Sequence, residues 1–253
     1  MIDSHCHLDL SPLCDDVDSV LAQAAAVGVT QLLVPAVSRL HWAGLQQLSA
    51  RSQVRVAIGL HPCFSHQADA DIAAMTQRLE SVHPFIAIGE CGLDKVEGKL
   101  PLEQQLWLCQ QQLLLAVKHH LPVILHVRNA HNELLQLLRA IPLPAGGVVH
   151  GFSGSFELAM QYVRHNLLIG VGGVITYERA QKTRKTVSLL PLDKIIFETD
   201  SPDMPLSGNQ GKANHPHHLL NIVTAVASIR PESEQRLIHA HQKNCNSLFQ
   251  LNS

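Results

Sequence analysis

Aromatic residues make up only 4% of this 253-residue chain, with two Trp, two Tyr and six Phe. That scarcity argues against an extended groove holding a single strand by stacking base after base. Positive charge is not in excess either: 19 Lys and Arg stand against 21 Asp and Glu, a net charge of −2. Bulk attraction to a polyanion is therefore absent, so any phosphate must be held by local cations or metals. The six cysteines (Cys6, Cys14, Cys63, Cys91, Cys109, Cys245) form no CxxC pair and no framework spacing, which argues against a zinc knuckle or a disulfide scaffold. No apolar run approaches the length of a membrane span. The first residues run straight into Asp3 and His5 without the basic and apolar regions of a secretory leader. The expectation is a cytoplasmic protein with reduced thiols, no membrane and no obligate protein partner.

What the chain does have is apolar residues, 46% against 16% charged, enough for a large core. Short β-branched runs alternate with helical patterns along the whole length, the signature of repeated βα units and a parallel sheet. The strand candidates are Met1 to Asp3, Gln31 to Pro35, Arg55 to Leu60, Phe85 to Gly89, Pro122 to Leu125, Gly147 to Val149, Leu167 to Val171 and Lys194 to Phe197. Eight of them predict an α/β fold of the TIM (β/α)8-barrel type, and residues 1–253 are expected to form one domain. Helical patterns run over Asp16 to Val27, Asp71 to Val82, Leu102 to His120, Glu133 to Ala140, Ser155 to Arg164, His217 to Ala227 and Pro231 to Phe249. Asp71 and Ser155 are read as N-caps, and Pro101 stands just ahead of its helix. No repeat or low-complexity linker interrupts the series. The longest irregular piece, Ser201 to Pro216, follows the last strand and is expected to lie over the barrel mouth.

Six candidate metal ligands sit at the ends of the apolar runs: His5 and His7, Glu90, His126, His150 and Asp200. A polar group ending a buried strand is costly to desolvate unless a partner satisfies it. When this recurs on five strands, a shared metal is the simplest partner. His5 and His7 are two apart, so both point to one side of the first strand, with Cys6 turned to the helices. Asp3 and Asp9 flank the pair and could orient an imidazole. A lone HxH is as often a pair of satisfied polar residues, and a lone His is more often packed core. Glu90 could equally cap the next helix, but the strand before it carries no polar residue. Gly92 is read as the point where the chain turns away. Four imidazoles and two carboxylates suit zinc or manganese better than calcium, and magnesium remains an alternative. Six ligands exceed what one tetrahedral ion with an open position needs, so two divalent ions per subunit are expected. Asp200 can bind metal and take a proton, with Glu198 in support; Glu90 is the expected bridge.

With these residues in place, the chain resembles the TatD family of metal-dependent hydrolases, within the amidohydrolase-like barrel group. The resemblance covers essentially the whole length. It rests on Asp3-Ser4-His5-Cys6-His7-Leu8-Asp9, Gly59-Leu60-His61-Pro62, Gly89-Glu90-Cys91-Gly92-Leu93-Asp94, Leu125-His126-Val127-Arg128, His150-Gly151-Phe152-Ser153-Gly154 and Glu198-Thr199-Asp200-Ser201-Pro202. The stretches Ile169 to Tyr177 and Pro202 to Leu206 look most like the YjjV branch. The resemblance implies phosphodiester hydrolysis, typically of DNA, at a two-metal centre. One ion would be held by His5, His7, Glu90 and Asp200, and Glu90 would bridge to a second on His126 and His150. Two departures stand out: Lys95 where the family often has an aromatic residue, and Gly151 between His150 and Phe152.

Arg128 can present a planar fork to phosphate, or serve as an ordinary salt-bridge partner. His61 ends a strand and could touch substrate or pack, and Phe64 and Tyr177 could stack on one base. The basic stretch Tyr177 to Lys185 follows the seventh strand and could hold a phosphate backbone, though a solvated helix face is the commoner reading. DNA or a nucleotide is the substrate that the resemblance implies. A hydrolase of small amides, lactones or phosphoesters would use the same ligands on the same barrel. A metal-dependent scaffold without turnover is the third reading.

Overall fold

In the computed structural model, which describes residues 1–251, strands and helices alternate up to the last strand, after which two helices follow. β1 (Ile2–Asp3), α1 (Val17–Ala26), β2 (Gln31–Pro35), α2 (Trp42–Leu48), β3 (Val54–Ile58) and α3 (Ala68–Leu79) come first. β4 (Phe85–Asp94), α4 (Leu102–His119), β5 (Val123–Arg128), α5 (His131–Ala140) and β6 (Gly147–Val149) follow. The series ends with α6 (Phe156–Arg164), β7 (Leu167–Val171), α7 (Gln181–Leu189), β8 (Ile195–Phe197), α8 (Leu219–Ala227) and α9 (Glu234–Phe249). All eight strands lie in one sheet in sequence order, and every adjacent pair is parallel. Most are short and largely apolar because a strand buried on both faces has no solvent side to make polar, the ten-residue β4 with Glu90 and Asp94 being the exception.

The ring is drawn together between β8 and the chain just past β1. Ser4 N–H donates to the Phe197 carbonyl at 3.3 Å, Asp200 N–H to His5 at 2.9 Å and His7 N–H to Ser201 at 2.7 Å. Asp3 locks this seam, because its carboxylate accepts from both the Thr199 N–H (2.9 Å) and hydroxyl (2.6 Å). Below the seam, His241 of α9 accepts from Phe197 N–H and donates to the Ile2 carbonyl. The inward residues Ile2, Leu33, Ala57, Ala87, Ile124, Val148 and Ile196 pack together, and Cys245 and Phe249 of α9 plug their lower end. A second, larger cluster fills the space between strands and helices, and Cys6 belongs to it, as its expected outward direction requires.

The eight-stranded barrel agrees with the sequence reading, and the departures have local causes. β4 does not stop at Gly89 but runs on to Asp94, so Glu90 lies within the strand and Gly92 is not a turn. Gly92 serves close approach instead: a Cβ there would fall 1.9 Å from the His126 carbonyl oxygen. α3 begins earlier than expected, and Asp71 is not its N-cap; it sits in the first turn and accepts from the Gln67 N–H at 2.9 Å. Ser155 does cap α6, accepting from Leu158 N–H. Two helices escaped the periodicity. α2 is seven residues long and contains Gly44, and α7 buries Thr183, Thr186 and Val187, a face too polar to register as apolar. The basic stretch is therefore split between a loop and this helix. The expected domain ends in two residues that lie outside the described ones. Among the described residues no helix is long and apolar enough to cross a membrane.

Candidate metal centre

All six predicted ligands converge at the C-terminal ends of the strands. β4 contributes Glu90, β5 contributes His126, and the segments leaving β1, β6 and β8 contribute His5 and His7, His150, and Asp200. Glu90 lies at their centre, 1% exposed. Its Oε2 is 3.1 Å from His5 Nε2 and 3.3 Å from His7 Nε2. Its Oε1 is 2.6 Å from His150 Nε2, 2.9 Å from His61 Nε2 and 3.1 Å from His126 Nδ1. Asp200 Oδ1 closes the first group at 3.4 Å from His5 Nε2 and 3.5 Å from His7 Nε2.

The donor set fits divalent cations. Facing imidazole nitrogens approach to 3.2 Å in both pairs, His5 with His7 and His126 with His150. A tetrahedral ion with arms of about 2.0–2.1 Å sets its ligand atoms roughly 3.3–3.4 Å apart. In the first group the separations of His5 and His7 from each other, from Glu90 Oε2 and from Asp200 Oδ1 run from 3.1 to 3.5 Å, close to that edge length. Glu90 Oε1 is buried and, despite three nitrogens around it, has no partner in hydrogen-bond geometry. An orphaned buried carboxylate oxygen costs free energy that a cation would remove.

Electrostatics make the same demand. Burial disfavours the ionised form of Glu90, yet the imidazoles of His150, His61 and His5 hold it well below the usual carboxylate range. Burial also opposes charge on His150, but Glu90, Asp200 and Glu198 raise it to about 9. His7 is likewise raised against burial by Asp200 and Glu90, whereas His5 is pushed down to about 4 by burial and its stacked neighbour His150. The carboxylates thus draw positive charge into the site, and a divalent ion would supply it without protons.

Surrounding residues hold the donors in place. Asp94, quoted in the sequence motif but assigned no role there, accepts at Oδ2 from His126 Nε2 at 3.0 Å. Its other oxygen is fixed by the Val96 and Glu97 N–H groups. The signal was the period of two along β4, which sets Glu90, Gly92 and Asp94 on one face. Glu198 is fully buried, accepts from the Gly151 N–H and lies 3.9 Å from His150 Nδ1. Gly170 makes room for it, since a Cβ there would meet Glu198 Oε2 at 2.5 Å. Burial raises Glu198 to about 8 and Asp3 to about 7.

Asp3 and Asp9 do not orient His5 or His7, contrary to expectation. Asp3 is committed to Thr199, and Asp9 lies 2.6 Å from His41 Nδ1. His61 reaches Glu90, and its Nδ1 accepts from the Cys63 N–H. The Cys63 thiol turns to Asp94 at 3.4 Å, and burial together with that carboxylate pushes it up to about 12. Arg128 ends β5 and pairs with Glu97 at 2.7 Å on the surface. Phe64 packs edge-on against His41 and His61, and Tyr177 donates to the Pro205 carbonyl.

A cavity of about 540 Å³ opens onto the centre, lined among others by His126, Arg128, His150, Phe152, Asp200 and Met204. Met204 belongs to the irregular segment after β8, which does lie over the mouth. Asn214 pins that segment to the Thr199 and Met204 carbonyls.

A parallel eight-stranded barrel with imidazoles and carboxylates gathered at its C-terminal mouth defines a metal-dependent hydrolase. The family model of TatD-related DNases matches residues 2–250, and the chain belongs to that family. It is 40% identical over 251 residues to the uncharacterized metal-dependent hydrolase YjjV of Escherichia coli, covering 98% of this chain and 97% of that one. It is 32% identical over 259 residues to the 3'-5' ssDNA/RNA exonuclease TatD of Erwinia billingiae, covering 99% of both. The crystal structure of E. coli YjjV superposes with a TM-score of 0.95 at 40% identity, over 99% of this chain and 98% of that one.

Proposed function

We propose that the protein hydrolyses phosphodiester bonds of DNA with two divalent ions that Glu90 and the residues around it would hold. The observation that carries this reading is the division of the Glu90 carboxylate: one oxygen faces His5 and His7, the other His126 and His150. His5, His7, Asp200 and Glu90 Oε2 would hold one ion, and His126, His150 and Glu90 Oε1 the other. Zinc suits four imidazoles best, with manganese or magnesium as alternatives. Bound ions would lower the pKa of an attacking water and neutralise charge on the attacking and leaving oxygens.

The chain's own groups would do the rest. Asp200 Oδ1 faces His5 and His7, which leaves Oδ2 to take the proton of the attacking water. Asp200 also lines the open cavity, whereas Glu90 is sealed beneath it. Asp94 would keep His126 from turning, the usual contribution of a group behind a ligand, while Glu198 lies 3.9 Å behind His150 and acts on it by charge rather than by a hydrogen bond. Arg128, on the cavity wall, would offer its guanidinium to a nonbridging phosphate oxygen, leaving a surface pair with Glu97 that contributes little. His61, against Glu90, would lie beside the bound phosphate. Nucleic acid as the substrate is supported by the ssDNA/RNA exonuclease name of the Erwinia relative, and DNA by the family description.

The test is elemental analysis of the purified protein, with product analysis on a short end-labelled DNA strand. The expected result is about two transition ions per chain and stepwise shortening, with Asp200→Asn slower by roughly 100-fold or more. Turnover of amides or lactones with none on DNA would overturn the substrate, and unchanged turnover in Asp200→Asn would overturn the mechanism.

A further inference from the structure

A smaller cavity of about 240 Å³ adjoins the metal-facing one. Val174, Tyr177, Arg179, Ala180, Met204 and Pro205 line it. Val174 and Met204 wall both cavities, so the notch borders the one lined by His126, His150 and Asp200. Its walls are apolar apart from one cation. Arg179 lies with its guanidinium carbon 4.9 Å from the centroid of the Tyr177 ring. Among the described residues that guanidinium has no carboxylate partner.

The notch is held open by the two loops that form it. Tyr177 donates its hydroxyl to the Pro205 carbonyl at 2.7 Å, and the Ser207 N–H donates to Thr176 Oγ1 at 2.9 Å. Arg184 of α7 donates to the Ile175 carbonyl at 2.7 Å, bracing the β7 side. The tyrosine ring is thus fixed before any ligand arrives, so little side-chain freedom is lost on binding.

We propose that this notch is a nucleobase subsite: the base next to the phosphate at the metals enters between Val174, Met204 and Tyr177, and Arg179 holds the neighbouring phosphate. The proposal rests on the phosphodiesterase reading and names the part of the substrate that the metals do not touch. Every base has a π-face, so one aromatic wall in an apolar notch gives affinity without choosing a sequence. An unpaired guanidinium at its edge matches the phosphate that follows a base in a strand. An aliphatic acyl group would fill the apolar walls but leave Arg179 nothing to neutralise. With a single such ring, one base is held, in keeping with the 4% aromatic content.

The test is calorimetric titration of the metal-loaded protein with thymidine 5'-monophosphate and with deoxyribose 5-phosphate, the same sugar phosphate lacking its base. Wild type is expected to bind the nucleotide about 5- to 100-fold more tightly. Tyr177→Leu should abolish that preference while leaving deoxyribose 5-phosphate binding within about twofold, and Tyr177→Phe, which keeps the ring, should retain it. On a short single-stranded oligomer, Tyr177→Leu should raise KM with little change in kcat, and Arg179→Gln should flatten the salt dependence of KM. Equal affinity of wild type for the two ligands, or the same loss in Tyr177→Leu for both, would overturn the subsite. A base preference without hydrolysis of any oligomer would instead overturn the phosphodiesterase reading and leave the subsite standing.

Discussion

Glu90 is the residue on which the centre turns, because among the described residues it is the carboxylate with both oxygens facing imidazoles. Glu90→Gln removes the negative charge and makes one of those atoms a donor. Metal content is expected to fall and turnover to drop by about 100-fold or more, read by elemental analysis and steady-state rates. Glu198 predicts a pH effect. Burial raises its pKa to about 8, with His150 and the Gly151 N–H pulling the other way. The folded protein therefore binds this proton more tightly than the unfolded chain does. The associated stability is fully present below the ordinary carboxylate range and is lost as pH rises toward 8. In chelator-treated protein, the stability of Glu198→Gln relative to wild type should rise from pH 5 to pH 8 in urea unfolding. Parallel curves would show that the carboxyl titrates normally. Asp3, raised to about 7, will leave part of the slope in the variant.

At the scale of elements, the β4–β5 pairing is tight enough that a glycine decides it. A Cβ on Gly92 would meet the His126 carbonyl oxygen at 1.9 Å, and its φ of +146° disfavours any side chain. Gly92→Ala is expected to destabilise by about 2–4 kcal/mol and to weaken metal retention by moving His126. Gly44 in α2 is the contrast, since nothing lies within 4 Å of a Cβ there. Gly44→Ala should stabilise by about 0.5–1 kcal/mol, and denaturant midpoints of the two variants should move in opposite directions. The same elements show where local sequence is and is not informative. Apolar runs marked every strand, because a buried parallel strand must be apolar on both sides. β4 hid its true end behind Glu90 and Asp94, polar residues that belong in a strand only because the centre surrounds them. α7 hid because its inward face is threonine, with Thr186 Oγ1 donating to the Gly154 carbonyl rather than packing as an apolar surface.

For the whole molecule, the seam of the barrel and the metal centre are one structure. His5, His7 and Asp200 stand on the strand extensions whose hydrogen bonds draw β8 to β1. Ions bound there would clamp the two ends of the sheet together as well as serve chemistry. Binding to the folded state alone adds about 2.7 kcal/mol at a free metal concentration of 100 Kd. For a chain of this size, chelation should lower Tm by on the order of 5–10 °C, and adding back one divalent ion should restore it. A Tm indifferent to chelator would mean that these side chains hold no ion. The far end of the barrel should not respond, since Cys245, Phe249 and His241 close it by packing and hydrogen bonds that need no ion.

The sequence by itself determined the barrel and the six converging donors, because burial forces strands to be apolar and makes each polar residue at their ends conspicuous. Only the tertiary structure decided the partners. That Asp94 holds His126, that Asp3 serves Thr199 rather than an imidazole, and that Val174 and Met204 wall two cavities at once are contacts between distant segments. Such contacts arise when the ring closes, and no local pattern of side chains encodes which distant atom will lie within hydrogen-bonding reach.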